Sequence, residues 1–151
     1  MNDYYDIELI SYLKSIEISN YIILSETDNI VDNMMKKFRF KYGRVCFTGS
    51  KSEKYMMSNS VNISADVISF INDLIKEEIC NLDEKIIYIG DNLTKFGYEF
   101  YLHDLLRVIP YLVDEIPQHH YFLFKDDSKL IYVSFEHNIQ FGIQWEHDKY
   151  L

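Results

Sequence analysis

The side chains in this sequence best suited to acid–base or metal chemistry are its five histidines. His137 and His147 each follow a glutamate. This pattern has two interpretations: a cluster for metal binding or acid–base chemistry, or two histidines that simply face water. His119 and His120 are adjacent, so on a strand they point to opposite faces and do not easily share a metal ion. A zinc site needs three or four converging ligands. We therefore predict no metal, no cofactor and no catalytic residue.

Two pairs of adjacent acids, Asp114-Glu115 and Asp126-Asp127, are the next candidates for catalysis. They would form a two-carboxylate hydrolase site only if they faced each other across a cleft. A solvated helix end and a solvated turn are the simpler interpretation. The sequence also lacks the common phosphate-binding, zinc-protease and serine-hydrolase motifs. We predict that the chain is not an enzyme, and a small metal-dependent hydrolase stays as a third alternative.

A basic stretch from Lys36 to Arg44 alternates cations with aromatic rings. Single-stranded nucleic-acid binders use this combination, but a strand with one aromatic and one charged face gives the same pattern. Residues 35–60 carry a net charge of +6 and residues 1–34 a net charge of −6, within a total of −9. The overall negative field opposes the approach of phosphate. We predict no direct nucleic-acid binding and leave the role of segment 36–44 open.

The start of the chain and its cysteines bear on its compartment. The first ten residues lack the positive and apolar regions of a signal peptide. The sequence also contains no run of about 18 apolar residues, the length that would predict a membrane span. Cys46 and Cys80 have no CxxC spacing, so neither a disulfide framework nor a zinc site is expected. These features predict a cytoplasmic protein without membrane contact.

The elements that must position these side chains follow from hydrophobic periodicity. Four helices are predicted. The first spans 3–16, the second follows the Thr27-Asp28 cap, the third begins at Ser64, and the fourth begins near Tyr98 and kinks or restarts at Pro110. Strands are predicted at 21–24, 86–89, 119–125, 129–136 and 139–145, a strand or hairpin between residues 38 and 48, and loops at 49–62 and 91–98. The apolar runs at 21–24 and 86–89 indicate buried strands, and the last three strands predict an antiparallel meander. We expect an α+β fold, one domain over 1–151, with a mixed central sheet that contains the meander and packs against helices.

The C-terminal third, roughly residues 98–145, combines a helix ending near DEIPQ with HHYFLF, a short acidic turn, LIYVSFEHN and IQFG. In this element order and aromatic strand texture it resembles the immunity proteins of contact-dependent growth inhibition and related polymorphic toxin systems. The resemblance implies a cytosolic protein that binds the toxic C-terminal domain of a delivered effector, often a nuclease, and blocks its active site. It carries over neither catalytic residues nor contact positions.

The composition agrees in kind with such a partner. A toxin that binds nucleic acid needs a basic cleft, and an acidic surface rich in aromatic rings complements that cleft. We therefore expect a basic toxin domain as partner and exposed acids and tyrosines on loops and turns as contacts. The predicted contact residues are Asp91, Tyr98, Glu99, Asp126, Asp127 and Glu136. The alternative is an acidic nucleic-acid mimic or adaptor that occupies a basic protein.

Overall fold

The computed structural model describes residues 3–47, 53–59, 61–126 and 128–144. Its helices are α1 (Tyr4–Ser15), α2 (Asp28–Lys37), α3 (Ile63–Lys76) and α4 (Leu102–Glu115). Its strands are β1 (Tyr21–Leu24), β2 (Phe40–Lys41), β3 (Arg44–Val45), β4 (Lys54–Met57), β5 (Lys85–Gly90), β6 (Gly97–Tyr101), β7 (His120–Phe124), β8 (Lys129–Val133) and β9 (Asn138–Ile143). Periodicity predicted all of these elements except β4 and β6.

Seven strands form one sheet in the order β1-β6-β5-β7-β8-β9-β4, and β2 and β3 form a separate hairpin. The α+β class and the C-terminal meander β7-β8-β9 are confirmed. Every pairing among the described strands is antiparallel. The expectation of a mixed sheet was therefore wrong. The first turn of the meander is held by Asp126, whose Oδ1 accepts hydrogen bonds from the backbone N–H and the hydroxyl of Ser128.

Both faces of the sheet are covered because successive side chains of a strand point to opposite sides. On one face, Tyr88, Phe122 and Phe141 belong to the core formed with α1, α3 and α4, here called the helical layer. On the other face, Ile87 and Leu123 belong to the core formed with α2 and the β2-β3 hairpin, here called the hairpin face. The strand predicted at 86–89 is therefore buried on both sides, as its apolar run indicates.

The hairpin predicted within 38–48 is confirmed, with Tyr42 and Gly43 as its turn. Both have positive φ angles, 55° and 77°, which is the backbone of the two-residue turn that matches strand twist. Phe38 and Phe47 are buried against the sheet and meet edge to face. The alternation of rings and cations in segment 36–44 thus largely reflects a hairpin that buries one aromatic side against the sheet and exposes its cations.

Three sequence-based expectations about strands were wrong. β1 is an edge strand in which Ile22 and Ile23 are 51% and 40% exposed. The prediction of a buried strand failed because a short apolar run does not distinguish an edge strand from a central one. The expected loop at 49–62 contains β4, which is recruited only by long-range pairing with β9. The expected loop and helix start near Tyr98 are instead β6, paired with β1 and β5.

Helix α4 begins at Leu102 and continues without a restart through Pro110 to Glu115. Proline removes one backbone donor and crowds the preceding turn. The helix nevertheless keeps five fully buried or nearly buried apolar side chains on its core side, namely Leu102, Leu105, Val108, Ile109 and Leu112. Tertiary burial of this stripe outweighs the local cost of the proline.

Candidate protein-binding surface

The predicted contact residues do not form one surface. Asp91 and Glu136 are exposed at the end of the sheet where β5 and β8 finish, whereas Asp126 is exposed at the opposite end, where β7 finishes. Asp127 lies outside the described residues. Asp91 and Asp126 therefore lie at opposite ends of the sheet.

The expectation that Tyr98 and Glu99 are exposed was wrong because both lie in the interior strand β6. Tyr98 is fully buried, its hydroxyl donates to Asp6 Oδ1 at 2.5 Å, and burial raises its pKa. Glu99 is also buried and forms an ion pair with Lys125 at 2.9 Å. These two side chains stabilise the fold and present little area to a partner.

Glu136 is exposed but already paired with a cation from the basic segment. Arg44 donates to both of its carboxylate oxygens, at 2.7 and 3.0 Å. The bond from Arg44 lowers the pKa of Glu136, and the same bond raises the pKa of Arg44. An exposed pair of this kind adds little stability, but its fork geometry fixes the hairpin against the β8–β9 turn.

Acidic side chains are concentrated on the helical layer. Segments 3–17, 63–78 and 102–115 carry eleven acidic and three basic residues, a net charge of −8. Segment 28–47, which covers the hairpin face, carries two acidic and five basic residues, a net charge of +3. The net charge of the molecule is therefore polarised across the sheet, with the acidic side on the three helices.

One part of the helical layer also gathers tyrosines, and we call it the tyrosine–glutamate patch. Its members are Tyr4, Tyr5, Glu8 and Tyr12 of α1 and Tyr111 and Glu115 of α4. Tyr12 and Tyr111 stack with ring centroids 4.5 Å apart, and Tyr4 meets Tyr5 edge to face. Burial, followed by Glu8 and Glu115 among the nearby groups, raises the pKa of Tyr111. Half-buried tyrosines are enriched at protein interfaces.

Sequence reasoning missed this patch although a signal was present. Tyr4, Glu8 and Tyr12 recur every four residues and therefore share one side of α1. The contribution of α4 has no comparable signal, because Tyr111 lies about a hundred positions further along the chain. Its proximity to Tyr12 exists only after α1 and α4 have packed together.

Two anchors hold α1, and with it the patch, in place. Arg107 of α4 donates to the Ile16 carbonyl at 2.6 Å, where the helix leaves carbonyls without partners. Asp6, which is buried, accepts hydrogen bonds from the Lys95 and Phe96 amides and from the Tyr98 hydroxyl. The patch therefore stands on a rigid element, as a binding surface requires.

The two adjacent histidines point to opposite faces, as predicted. The His119 ring receives hydrogen bonds at Nδ1 from the Tyr132 hydroxyl and the Phe135 amide on the hairpin side. The His120 ring is buried on the helical side, where its Nδ1 lies 2.7 Å from the Tyr88 hydroxyl. Gln118 Nε2 donates to the same hydroxyl. His137 is exposed in a turn with φ of 72°, and His147 lies outside the described residues.

Burial of His120 predicts a loss of stability in mild acid. Burial lowers its pKa from the ordinary 6.5 to about 3, so between these values the unfolded chain binds a proton that the folded chain does not. The free energy of unfolding is therefore highest above pH 6.5 and falls as the pH drops, by about 2 kcal/mol between pH 7 and pH 5. Urea unfolding at both pH values, compared with His120→Gln, measures this difference. Equal pH dependence in the two proteins would contradict it.

Among protein-family models, curated proteins and solved structures, none matches this chain. Within the described residues, no helix is both long and apolar enough to cross a bilayer. The same residues contain no group of three or more histidine, cysteine, aspartate or glutamate side chains placed to hold a metal ion.

Proposed function

We propose that this chain is a cytoplasmic immunity protein. In this proposal it binds the toxic C-terminal domain, a basic nuclease, of a contact-dependent growth inhibition or related toxin, and blocks the active site without catalysing a reaction itself. The observation that supports this most directly is the concentration on the helical layer of ten exposed or partly exposed acidic side chains, Asp6 being buried, against three basic ones. A basic cleft built to hold phosphates is complementary to this surface.

The tyrosine–glutamate patch supplies the centre of the proposed interface. Tyr4, which is 54% exposed, and the half-buried Tyr5, Tyr12 and Tyr111 offer apolar ring area that can be desolvated, while their hydroxyls keep hydrogen-bonding capacity. Glu8 and Glu115 are exposed beside these rings, and their carboxylates can pair with cations of a basic cleft. Charge complementarity also increases the rate of association, which suits an inhibitor that must capture few toxin molecules quickly.

Mixing the purified chain with the toxin domain encoded beside it tests this function. We expect a one-to-one complex in size-exclusion chromatography and loss of the toxin's activity, with an affinity that falls as salt rises from about 50 to about 300 mM, because rising ionic strength screens the charges. Separate elution with an active toxin would contradict the proposal. A complex that also forms with unrelated basic proteins would instead favour the nucleic-acid mimic or adaptor.

A further inference from the structure

A cavity of about 340 Å³ opens between α2, the β2-β3 hairpin and the loop at 91–96. This volume lies at the lower end of the range of ligand pockets. The floor is apolar and buried, and the wall includes a second methionine and an aromatic ring. These lining residues are Met34, Ile89 and Tyr121 in the floor and Val31, Met35 and Phe40 in the wall. The cavity is therefore shaped for one apolar or amphipathic group.

Two of the lining residues are charged, Lys95 and Asp91. Lys95 is paired with the Asp3 carboxylate at 2.9 Å. Asp91 is exposed at the rim, and its Oδ1 accepts a hydrogen bond from the His119 amide at 3.0 Å. Its Oδ2 has no hydrogen-bond partner among the described residues. A cation that enters the cavity thus finds a free carboxylate oxygen at the rim.

The loop that carries this rim is fixed before any ligand binds. The amides of Asn92, Leu93 and Thr94 all donate to Gln118 Oε1, at 2.6 to 3.3 Å. The next two amides donate to Asp6. At Gly90 a Cβ would lie 1.9 Å from Gln118 Nε2, so the close approach of the glutamine requires glycine. A preorganised rim reduces the ordering cost of binding.

We propose that this cavity receives one arginine side chain of the partner protein. The guanidinium enters first and lies near the Phe40 and Tyr121 rings, where its fork donates to Asp91, and the methylene stem packs against the more exposed Met35. Asp3, the ion-pair partner of Lys95, directly precedes Tyr4 of the tyrosine–glutamate patch in the chain. The identity of the occupant as a residue of a basic partner rests on the proposed function.

Methyl NMR with N-acetyl-arginine methylamide tests the cavity without the toxin. The methionine methyls are the reporters: Met34 and Met35 line the cavity, and Met56 and Met57 on β4 are internal controls. We expect saturable shifts at the first pair alone, and at least tenfold weaker binding of the citrulline derivative, which has the same shape without the charge. Equal responses at all four methyls, or equal binding of citrulline, would overturn the inference.

Asp91→Asn and Asp126→Asn form the matched pair of variants. In Asp91→Asn the side-chain amide oxygen still accepts the hydrogen bond from the His119 amide, so the fold is retained while the charge is lost. We expect about tenfold weaker binding of the arginine probe for Asp91→Asn and no change for Asp126→Asn, an exposed acid at the other end of the sheet. If Asp91→Asn binds the probe and the toxin normally, the cavity inference fails while the proposed function stands. If the probe binds as expected and no toxin complex forms, the proposed function fails.

Discussion

Reversing two charges in the tyrosine–glutamate patch is expected to weaken binding of the proposed partner, a basic toxin domain, about a hundredfold. The double variant Glu8→Lys/Glu115→Lys replaces two attractive contacts with two repulsive ones. A loss of about 3 kcal/mol for the pair corresponds to this factor, at about 1.4 kcal/mol per tenfold change. Isothermal titration calorimetry at about 150 mM salt measures it. Both glutamates are exposed, so the free energy of unfolding is expected to stay within about 1 kcal/mol of the original.

The control for this variant separates a local contact from the general field. Asp73→Lys/Glu78→Lys changes the net charge by the same amount, from −9 to −5, at two exposed positions in and just after α3. We expect it to slow association at low salt and to leave the affinity at about 150 mM within about threefold, because exposed charges are screened beyond about 8 Å. If both double variants lose the same affinity, the whole helical layer and not the patch determines binding.

Removing the Asp6 carboxylate is expected to lower the free energy of unfolding by about 4 kcal/mol. In Asp6→Ala, the Lys95 and Phe96 amides and the Tyr98 hydroxyl lose their acceptor, and each buried donor left unsatisfied costs about 1–3 kcal/mol. This is a large fraction of the roughly 5–15 kcal/mol that stabilises a domain. Urea unfolding measures the difference, and hydrogen exchange at residues 91–96 is expected to accelerate.

Asp3→Ala is the matched control for this prediction. Asp3 lies three residues earlier, contacts the same loop through Lys95, and is half exposed, so its loss is expected to cost no more than about 1 kcal/mol. Asp6→Asn keeps one acceptor oxygen and is expected to fall between the two. A cost below about 1 kcal/mol for Asp6→Ala would show that water replaces the carboxylate and that the loop does not depend on it.

Local periodicity predicted most of the elements because burial imposes it residue by residue. The apolar stripe of α3 and the runs of aromatic and β-branched residues in β7, β8 and β9 are properties of short segments, and all four elements were predicted. β6 was missed because only Tyr98 and Phe100 mark its inner side, too few residues to show a two-residue period. β4 was missed because it is an edge strand whose alternate side chains face solvent, so only β9 defines it.

The candidate site depended much more on tertiary structure. Asp6 and Gln118 appear in the sequence as an ordinary surface-type acid and amide, yet each is buried and accepts several hydrogen bonds from the loop at 91–96. Exposure was assigned wrongly to Tyr98 and Glu99 for the same reason. Burial of a polar side chain depends on partners brought from distant segments, and one sequence does not record those partners.

The sequence by itself determined the helices, the meander, the net charge of −9 and the excess of tyrosine, because each depends on residue type or on short-range spacing. Tertiary structure alone decided where those charges and rings lie. The acidic segments 3–17, 63–78 and 102–115 are far apart in the chain and become one surface only because α1, α3 and α4 bury their apolar stripes on the same face of one sheet. The sheet separates them from the basic hairpin face, since alternate residues of its strands must be covered from opposite sides.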